Sequence, residues 1–377
     1  MNEQRGTSSA LKDRLFQRTV DYAAIDAVAG HEQDLVRRLV ADLQPFCDRV
    51  AVDPFGNIIA TKNGPDGAPS LMIAAHSDEI GAAVKAIEPD GALRFEAVGG
   101  VLESLLVGRA VRVAGISGVI GSRAGHITPP EERRVAPAMN ELYIDVGCSS
   151  AADVAELGIR VGDPVAYEAP VRRLGNGDRI SGKAIDNRIG CALIVELAAA
   201  FHESSLASTV HFVVTVQEEV GLRGAQMVTH RLNPTAAIVV DTMPSGGTPD
   251  VSATRHLSME IGKGPVLTLI SQSRGGGAIA QPGMLRFLER AAADAGVDYQ
   301  RALFYGGNSD AASVHLVRDG IPTGIVNFAR RYSHSPVETL DLNDAVAAYE
   351  WLLVAIASFD SDADLSFLGA DAGVDEA

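Results

Sequence analysis

Residues 209–230 read TVHFVVTVQEEVGLRGAQMVTH, and the order of events within them sets the architecture. Thr209–Val216 is a β-branched, apolar run, the composition of a strand buried on both faces. It ends in two adjacent acids, Glu218 and Glu219, and beyond Gly221 a helical pattern runs from Leu222 to His230. Ala236–Val240 repeats the theme, an apolar run followed at once by an acid, Asp241. Strand, acid, helix, strand is the rhythm of an α/β sheet, and open α/β sheets gather ligands at the carboxyl ends of their strands.

The rhythm continues outward. Upstream, helices are expected over 11–26 and 31–46, broken at Gly30, then strands over 49–53, 57–62 and 70–75. Downstream, helices are expected over 188–201, 277–295, 309–318 and 342–357, with strands over 300–304 and 321–326. Between about 81 and 180 the character changes to short Val-, Ile- and Gly-rich runs, with one helical stretch near 150–157. The expected fold class is therefore α/β. A mixed central sheet covered by helices on both faces is formed by residues 1–80 and 181–359, and 81–180 form a small inserted β-barrel-like domain. The polar segment 1–10 and the acidic segment 360–377 read as flexible tails.

Composition excludes several classes. The chain has 377 residues, 46% of them hydrophobic, enough for a sizeable core. No apolar run approaches the roughly 20 residues that cross a bilayer, and the start, MNEQRGTSSALKDR, lacks the pattern of a secretory signal. The three cysteines, Cys47, Cys148 and Cys191, form no CxxC pair. A cytoplasmic location follows as the expectation. A net charge of −16 repels phosphate backbones, so neither nucleic acid nor a membrane is an expected partner.

Five potential ligands stand near the ends of predicted elements: His76 in AAHSDEIG, Asp186 in GKAIDNRIG, Glu219 in VTVQEEVG, Asp241 in IVVDT and His334 in RYSHSPVE. Each has an ordinary reading by itself. A strand-end histidine can pair with a solvated acid, an Asp opening a helix is a favoured N-cap, and a histidine before Ser-Pro is most often on the surface. Together they are two imidazoles and three carboxylates, a set suited to Zn, Co or Mn. Asp78 lies two residues from His76 on an extended segment and faces the same way, so it can orient the ring. Glu218 and Glu219 are neighbours on a strand end and point to opposite sides, which lets one bind an ion while the other serves as general base.

The ordered segments AHSDEIG, ELYIDVG, GIRVGDPV, KAIDNRIGC, QEEVGLRGA, GGNSDA and RYSHSPVE resemble those of the tetrahedral (TET-type) metallo-aminopeptidases, from about Gly30 to Glu338. The resemblance implies a zinc-exopeptidase-like sheet and two divalent ions per chain. His76, Asp186 and Asp241 would hold one, and Asp186, Glu219 and His334 the other, with Asp186 as the bridge. It implies Glu218 as general base and Asp78 as the partner of the His76 ring. It also implies short peptides as substrates, dimerisation through the inserted domain and assembly into a tetrahedral dodecamer. Ser77, Asn308-Ser309 and Ala329 depart from the commoner residues of the family without removing a ligand.

Two other functions are compatible with the residues. The Gly306-Gly307-Asn308-Ser309-Asp310 loop leaves room for an amidohydrolase acting on small N-acylated compounds, and a catalytically silent assembly protein could use the same scaffold. The retained ligands and base count against the silent reading.

Overall fold

The computed structural model describes residues 2–274 and 276–369, with side chains from Ser8 onward. Helices α1 (Asn2–Ala23) and α2 (Gln33–Leu43) lead into strands β1 (Arg49–Val52), β2 (Ile58–Lys62) and β3 (Ser70–His76). Strands β4 (Gly81–Ile87), β5 (Leu93–Val98), β6 (Ala110–Val113), β7 (Ile116–Gly121), β8 (Tyr143–Asp145) and β9 (Pro164–Tyr167) close into a barrel, with helix α3 (Ala151–Glu156) between the last two. Then come β10 (Arg172–Leu174), β11 (Arg179–Gly182), α4 (Ile185–Ala200), β12 (Thr209–Thr215), α5 (Arg223–Leu232) and β13 (Ala236–Pro244). The chain continues through β14 (Val266–Ser273), β15 (Gly276–Ile279), α6 (Pro282–Ala295), β16 (Gln300–Tyr305), α7 (Ala311–Val314), β17 (Thr323–Arg330), β18 (Glu338–Asp341) and α8 (Leu342–Ala357).

The main sheet is mixed, in the order β1-β2-β12-β3-β13-β17-β14-β15, with β16 alongside β14. Its centre, β12-β3-β13-β17, is parallel. Alternate residues of β3 face opposite layers, as a period of two requires. Leu71, Ile73 and Ala75 join the core formed with α1, α2, α4, α6 and α8, while Met72 and Ala74 join the one formed with α5 and α7. Both faces are covered, which explains why the central strands read as continuous apolar runs. The barrel has its own core, including Val84, Phe95, Val111, Ile144 and Val165. The expected fold class is the one observed.

A buried ionic network ties barrel to sheet. Lys183 Nζ donates to Glu79 Oε1 at 2.8 Å and to Asp26 Oδ1 at 3.0 Å. Arg188 Nη2 reaches Glu79 Oε1 at 3.1 Å, and Arg112 of β6 reaches Asp26 at 2.7 Å.

Several boundaries differ from expectation. Helix α1 begins at Asn2, so the segment expected as a tail to about Ala10 is helical. Once Leu11 and Leu15 are packed, adding turns to a nucleated helix is easy. The helix expected over 277–295 starts only at Pro282, with Gly276–Ile279 as strand β15. The helix expected over 309–318 contracts to Ala311–Val314. Strands β14 and β18 were not anticipated, and β17 runs on to Arg330. In the acidic C-terminal segment, Leu365 O accepts from Gln281 Nε2 at 2.7 Å and Ser366 O from Arg286 Nη2 at 2.6 Å. The rest of the expected tail, 370–377, lies outside the described residues.

Candidate active site

The carboxyl ends of the central strands align through their register, with Thr215 beside His76 and Val239 beside Ala74. His76 is the last residue of β3 and is buried. Its Nδ1 lies 3.1 Å from the backbone carbonyl of Asp78. A carbonyl only accepts, so Nδ1 carries the hydrogen and Nε2 presents its lone pair to the site. That Nε2 faces Asp186 Oδ1 at 3.2 Å and Asp241 Oδ1 at 3.5 Å. Asp241 sits within β13, because the strand continues to Pro244.

Asp186 opens α4 with non-helical backbone angles, and its peptide bond to Asn187 is cis. Ala184 makes no side-chain cap, and the helix is capped from Asn187, whose Oδ1 accepts the Gly190 N–H at 3.1 Å. The Asp186 N–H donates to Glu338 Oε2 at 3.0 Å, and Asn187 Nδ2 donates to the Val240 carbonyl at 2.9 Å. These bonds fasten the start of α4 to β18 and β13, and they turn the two oxygens of Asp186 towards different histidines.

Asp186 Oδ2 faces His334, which lies between β17 and β18. The distances from His334 Nε2 are 3.6 Å to Asp186 Oδ2 and 3.5 Å to Glu219 Oε2. His334 Nδ1 bonds the Gly100 carbonyl at 3.1 Å, fixing the tautomer as at His76. Gly100 follows strand β5 of the barrel, and a Cβ there would stand 2.6 Å from the ring nitrogen. The barrel thus reaches the site and holds one of its side chains.

Asp78 is buried, and its carboxylate does something the sequence did not suggest. Oδ1 accepts the Glu218 N–H at 2.9 Å and Oδ2 accepts the Glu219 N–H at 3.0 Å, while the His76 ring lies 3.6 Å from Oδ1. The ring is held more closely by the backbone of Asp78 than by its side chain.

All seven residues singled out in the sequence converge. In three groups, His76–Glu218–Glu219, His76–Asp186–Asp241 and Asp186–Glu219–His334, ligand atoms lie within 4.8 Å of one another. Sequence reasoning missed three further residues here. Arg330 is buried, its Nη2 is 2.8 Å from Asp186 Oδ2, and its Nη1 pairs with Glu338. Glu338 also accepts the His334 N–H at 3.0 Å. Asp310 is buried and accepts from Thr215 Oγ1 at 2.6 Å. The signal available was the position of Arg330 and Glu338, four residues to either side of His334 in RRYSHSPVE.

The electrostatics are those of a crowded acid cluster. Burial and the charges of Asp241 and Glu219 push Glu218 well above the usual carboxylate range. Burial and the neighbouring Asp186 push Glu219 up to about 8, and burial raises Asp241. Burial pulls the imidazoles down, but the surrounding carboxylates outweigh it: His76 lies well above its ordinary value and His334 is pushed up to about 9. Burial alone would raise Asp186, yet Arg330 and the two histidines hold it well below normal. Groups of this kind fit divalent cations, which would replace the protons that the cluster otherwise retains.

The cluster forms the floor of a cavity of about 470 Å³. Its outer walls are Thr242, Pro244, Ser273, Phe304, Gly306, Gly307 and Asn308. Asn308 Nδ2 donates to Ser273 Oγ and to the Gly276 carbonyl, both at 2.8 Å, which fastens the loop after β16 to the β14–β15 hairpin.

A sheet with an inserted barrel, and an acid–imidazole cavity at its carboxyl edge, define the architecture of a peptidase. The chain belongs to the M42 family of aminopeptidases, hydrolases of peptide bonds: the profile of M42 glutamyl aminopeptidase matches residues 56–350. A curated relative described as a putative aminopeptidase of Acetivibrio thermocellus is 33% identical, over 92% of this chain and 99% of its own. An aminopeptidase structure from the archaeon Desulfurococcus kamchatkensis superposes with a TM-score of 0.89 at 32% identity, covering 96% of this chain and 99% of the other. A Pyrococcus horikoshii TET peptidase, described as assembling into a tetrahedron or a large octahedral shell, gives 0.81 at 28% identity, covering 92% and 100%. Among the described residues, no helix is long and apolar enough to cross a membrane.

Proposed function

We propose that the protein is a dinuclear metal-dependent aminopeptidase that removes N-terminal residues from short peptides. The observation that carries this reading is the sharing of Asp186. One of its oxygens faces His76, near Asp241, and the other faces His334, near Glu219. Zn, Co and Mn all suit two imidazoles and three carboxylates. Two such ions would supply Lewis acidity, acidifying a water and polarising the scissile carbonyl.

The chain's own residues do the rest. Glu218 takes the proton of the attacking water and delivers it to the departing amine. Its raised proton affinity suits a group that must both accept and return a proton near neutral pH. Asp78 holds the backbone of Glu218 and Glu219, so the base and one ligand keep fixed positions. Gly100 and the Asp78 carbonyl hold the histidine rings. The free amine of a substrate is attracted by the same acid cluster, which favours cleavage at the N-terminus.

Self-association is part of the proposal. Ile279 of β15 and Leu303 and Tyr305 of β16, the two strands paired with β14, expose apolar side chains that contact with another copy would cover. The likeness to shell-forming peptidases supports dimers that assemble further into a tetrahedral dodecamer, with the barrel at the dimer contact. A panel of aminoacyl-anilides against N-acyl amino acids, with Zn, Co and Mn added separately, tests the reaction. Hydrolysis of the anilides only when metal is present supports the proposal. Turnover of N-acyl compounds alone, or activity indifferent to chelation, would reject it.

A further inference from the structure

The two halves of the cluster are not equivalent, and Arg330 is the reason. Asp186 Oδ1 meets only neutralisable partners, with His76 Nε2 at 3.2 Å. Asp186 Oδ2 is already engaged by a permanently charged group, Arg330 Nη2 at 2.8 Å. The guanidinium has little freedom to leave. Its Nη2 also donates to Ser333 Oγ at 2.8 Å, its Nη1 pairs with Glu338, and the side chain is 2% exposed. A carboxylate oxygen offers two lone-pair directions. Arg330 uses one of those on Oδ2 and draws charge away from the other, on the side where His334 and Glu219 stand. Among the described residues no lysine or arginine pairs with Asp241, which brings a second carboxylate to the His76 side with its oxygen 3.5 Å from Nε2.

We propose that Arg330 makes this an asymmetric metal centre: the ion at His76, Asp186 and Asp241 is held tightly, and the ion at Asp186, Glu219 and His334 is exchangeable. The proposal rests on the dinuclear reading above. Arg330 acts through Asp186 and is a positioning residue. Glu338 balances its charge and also receives the Asp186 and His334 N–H groups, so one ion pair couples the bridge to the ligand of the looser half. Outer-shell partners of metal ligands shift affinity by roughly 10–100-fold, and that scale is expected here.

The test is calorimetric titration of the chelator-treated full chain with MnCl2, with ions per chain counted by mass spectrometry after dialysis. The wild type is expected to show two classes of site at least about tenfold apart, with one ion surviving dialysis. His334→Ala should remove the weaker class and spare the tighter. Arg330→Gln, which keeps a donor but loses the charge, should bring the two affinities together, whereas Arg330→Lys should keep them apart. If Arg330→Gln does not fold, the wild type and His334→Ala still decide which half is weaker. Two equal tight sites in the wild type, loss of the tighter class in His334→Ala, or an unchanged separation in a folded Arg330→Gln would each overturn the asymmetry while leaving the dinuclear reading intact. No binding at all would overturn that reading, and the asymmetry with it.

Discussion

Asp78 Oδ1 accepts the backbone N–H of Glu218 at 2.9 Å, and the other oxygen of the same carboxylate takes the N–H of Glu219. One buried acid next to the strand-end histidine thus sets the backbone from which the proposed base and one proposed ligand project. Asp78→Ala would leave both donors buried without a partner, at about 1–3 kcal/mol for each orphaned group. The expected result is a lower midpoint in urea, together with a loss of activity larger than the loss of stability explains. Wild-type kcat in a folded Asp78→Ala would remove the positioning role.

Glu218→Gln keeps the shape of the side chain and removes its ability to take a proton. Turnover of an aminoacyl-anilide should fall by about 10²–10⁴-fold, while metal bound per chain stays near the wild-type value. Equal losses of metal and activity would instead make Glu218 a ligand.

Gly100→Ala would place a methyl group 2.6 Å from His334 Nδ1. Either the ring or the loop beyond β5 must move, and the hydrogen bond that fixes the tautomer is lost. The ion on the His334 side should bind roughly tenfold or more weakly, while the barrel remains folded by circular dichroism. Unchanged metal affinity would show that the barrel does not brace this histidine.

Lys183→Met breaks the buried pairing of Lys183 with Glu79 and Asp26. Removing one member of an isolated buried pair costs about 3–5 kcal/mol; the cost here is smaller, because Arg188 still faces Glu79 and Arg112 still faces Asp26. Thermal unfolding should move down by several degrees, and limited proteolysis should cut more readily between barrel and sheet. A change within experimental error would mean that water replaces the ammonium group.

Stability should depend on pH in opposite ways with and without metal. His334 is raised to about 9, Glu219 to about 8 and Asp310 to about 7, the last by burial with the charges of Asp241 and Asp78. Each folded-state value exceeds the unfolded one, so the native chain binds more protons. The stability they add is complete below their unfolded values and is lost as pH rises through the folded ones. After chelation, the unfolding temperature should therefore fall between about pH 4, where the unfolded carboxyls titrate, and about pH 9. With metal bound the trend should flatten or reverse, because ligand deprotonation favours the ion. Identical pH curves in the two states would contradict the assignment of these groups to a metal centre.

The parallel strands were legible because burial on both faces leaves a continuous apolar run, as in β3 and β13. The start of α6 was legible too but was read too early. Gln281 is the N-cap, its side chain accepting the Met284 N–H, and Pro282 occupies the first turn, which are the usual marks of a helix beginning. Extending the periodicity back across them concealed β15. The site residues stood out wherever an acid or histidine interrupted or ended an apolar segment, as at His76, Glu218 and Asp241. Arg330 and Gly100 could not be found that way. Arg330 is one of many arginines until β17 carries it to Asp186, and Gly100 gains its role only when a barrel loop folds against His334. For Gly100 that packing leaves no local pattern, and for Arg330 the local hint is its place four residues before His334.

The central claim is that two cations lie on either side of Asp186. Anomalous diffraction from crystals equilibrated with excess MnCl2 addresses it directly. Two peaks are expected, one beside His76 and Asp241 and the other beside Glu219 and His334, with the Asp186 carboxylate between them. A single peak away from Asp186, or none within reach of these five side chains, would contradict the account.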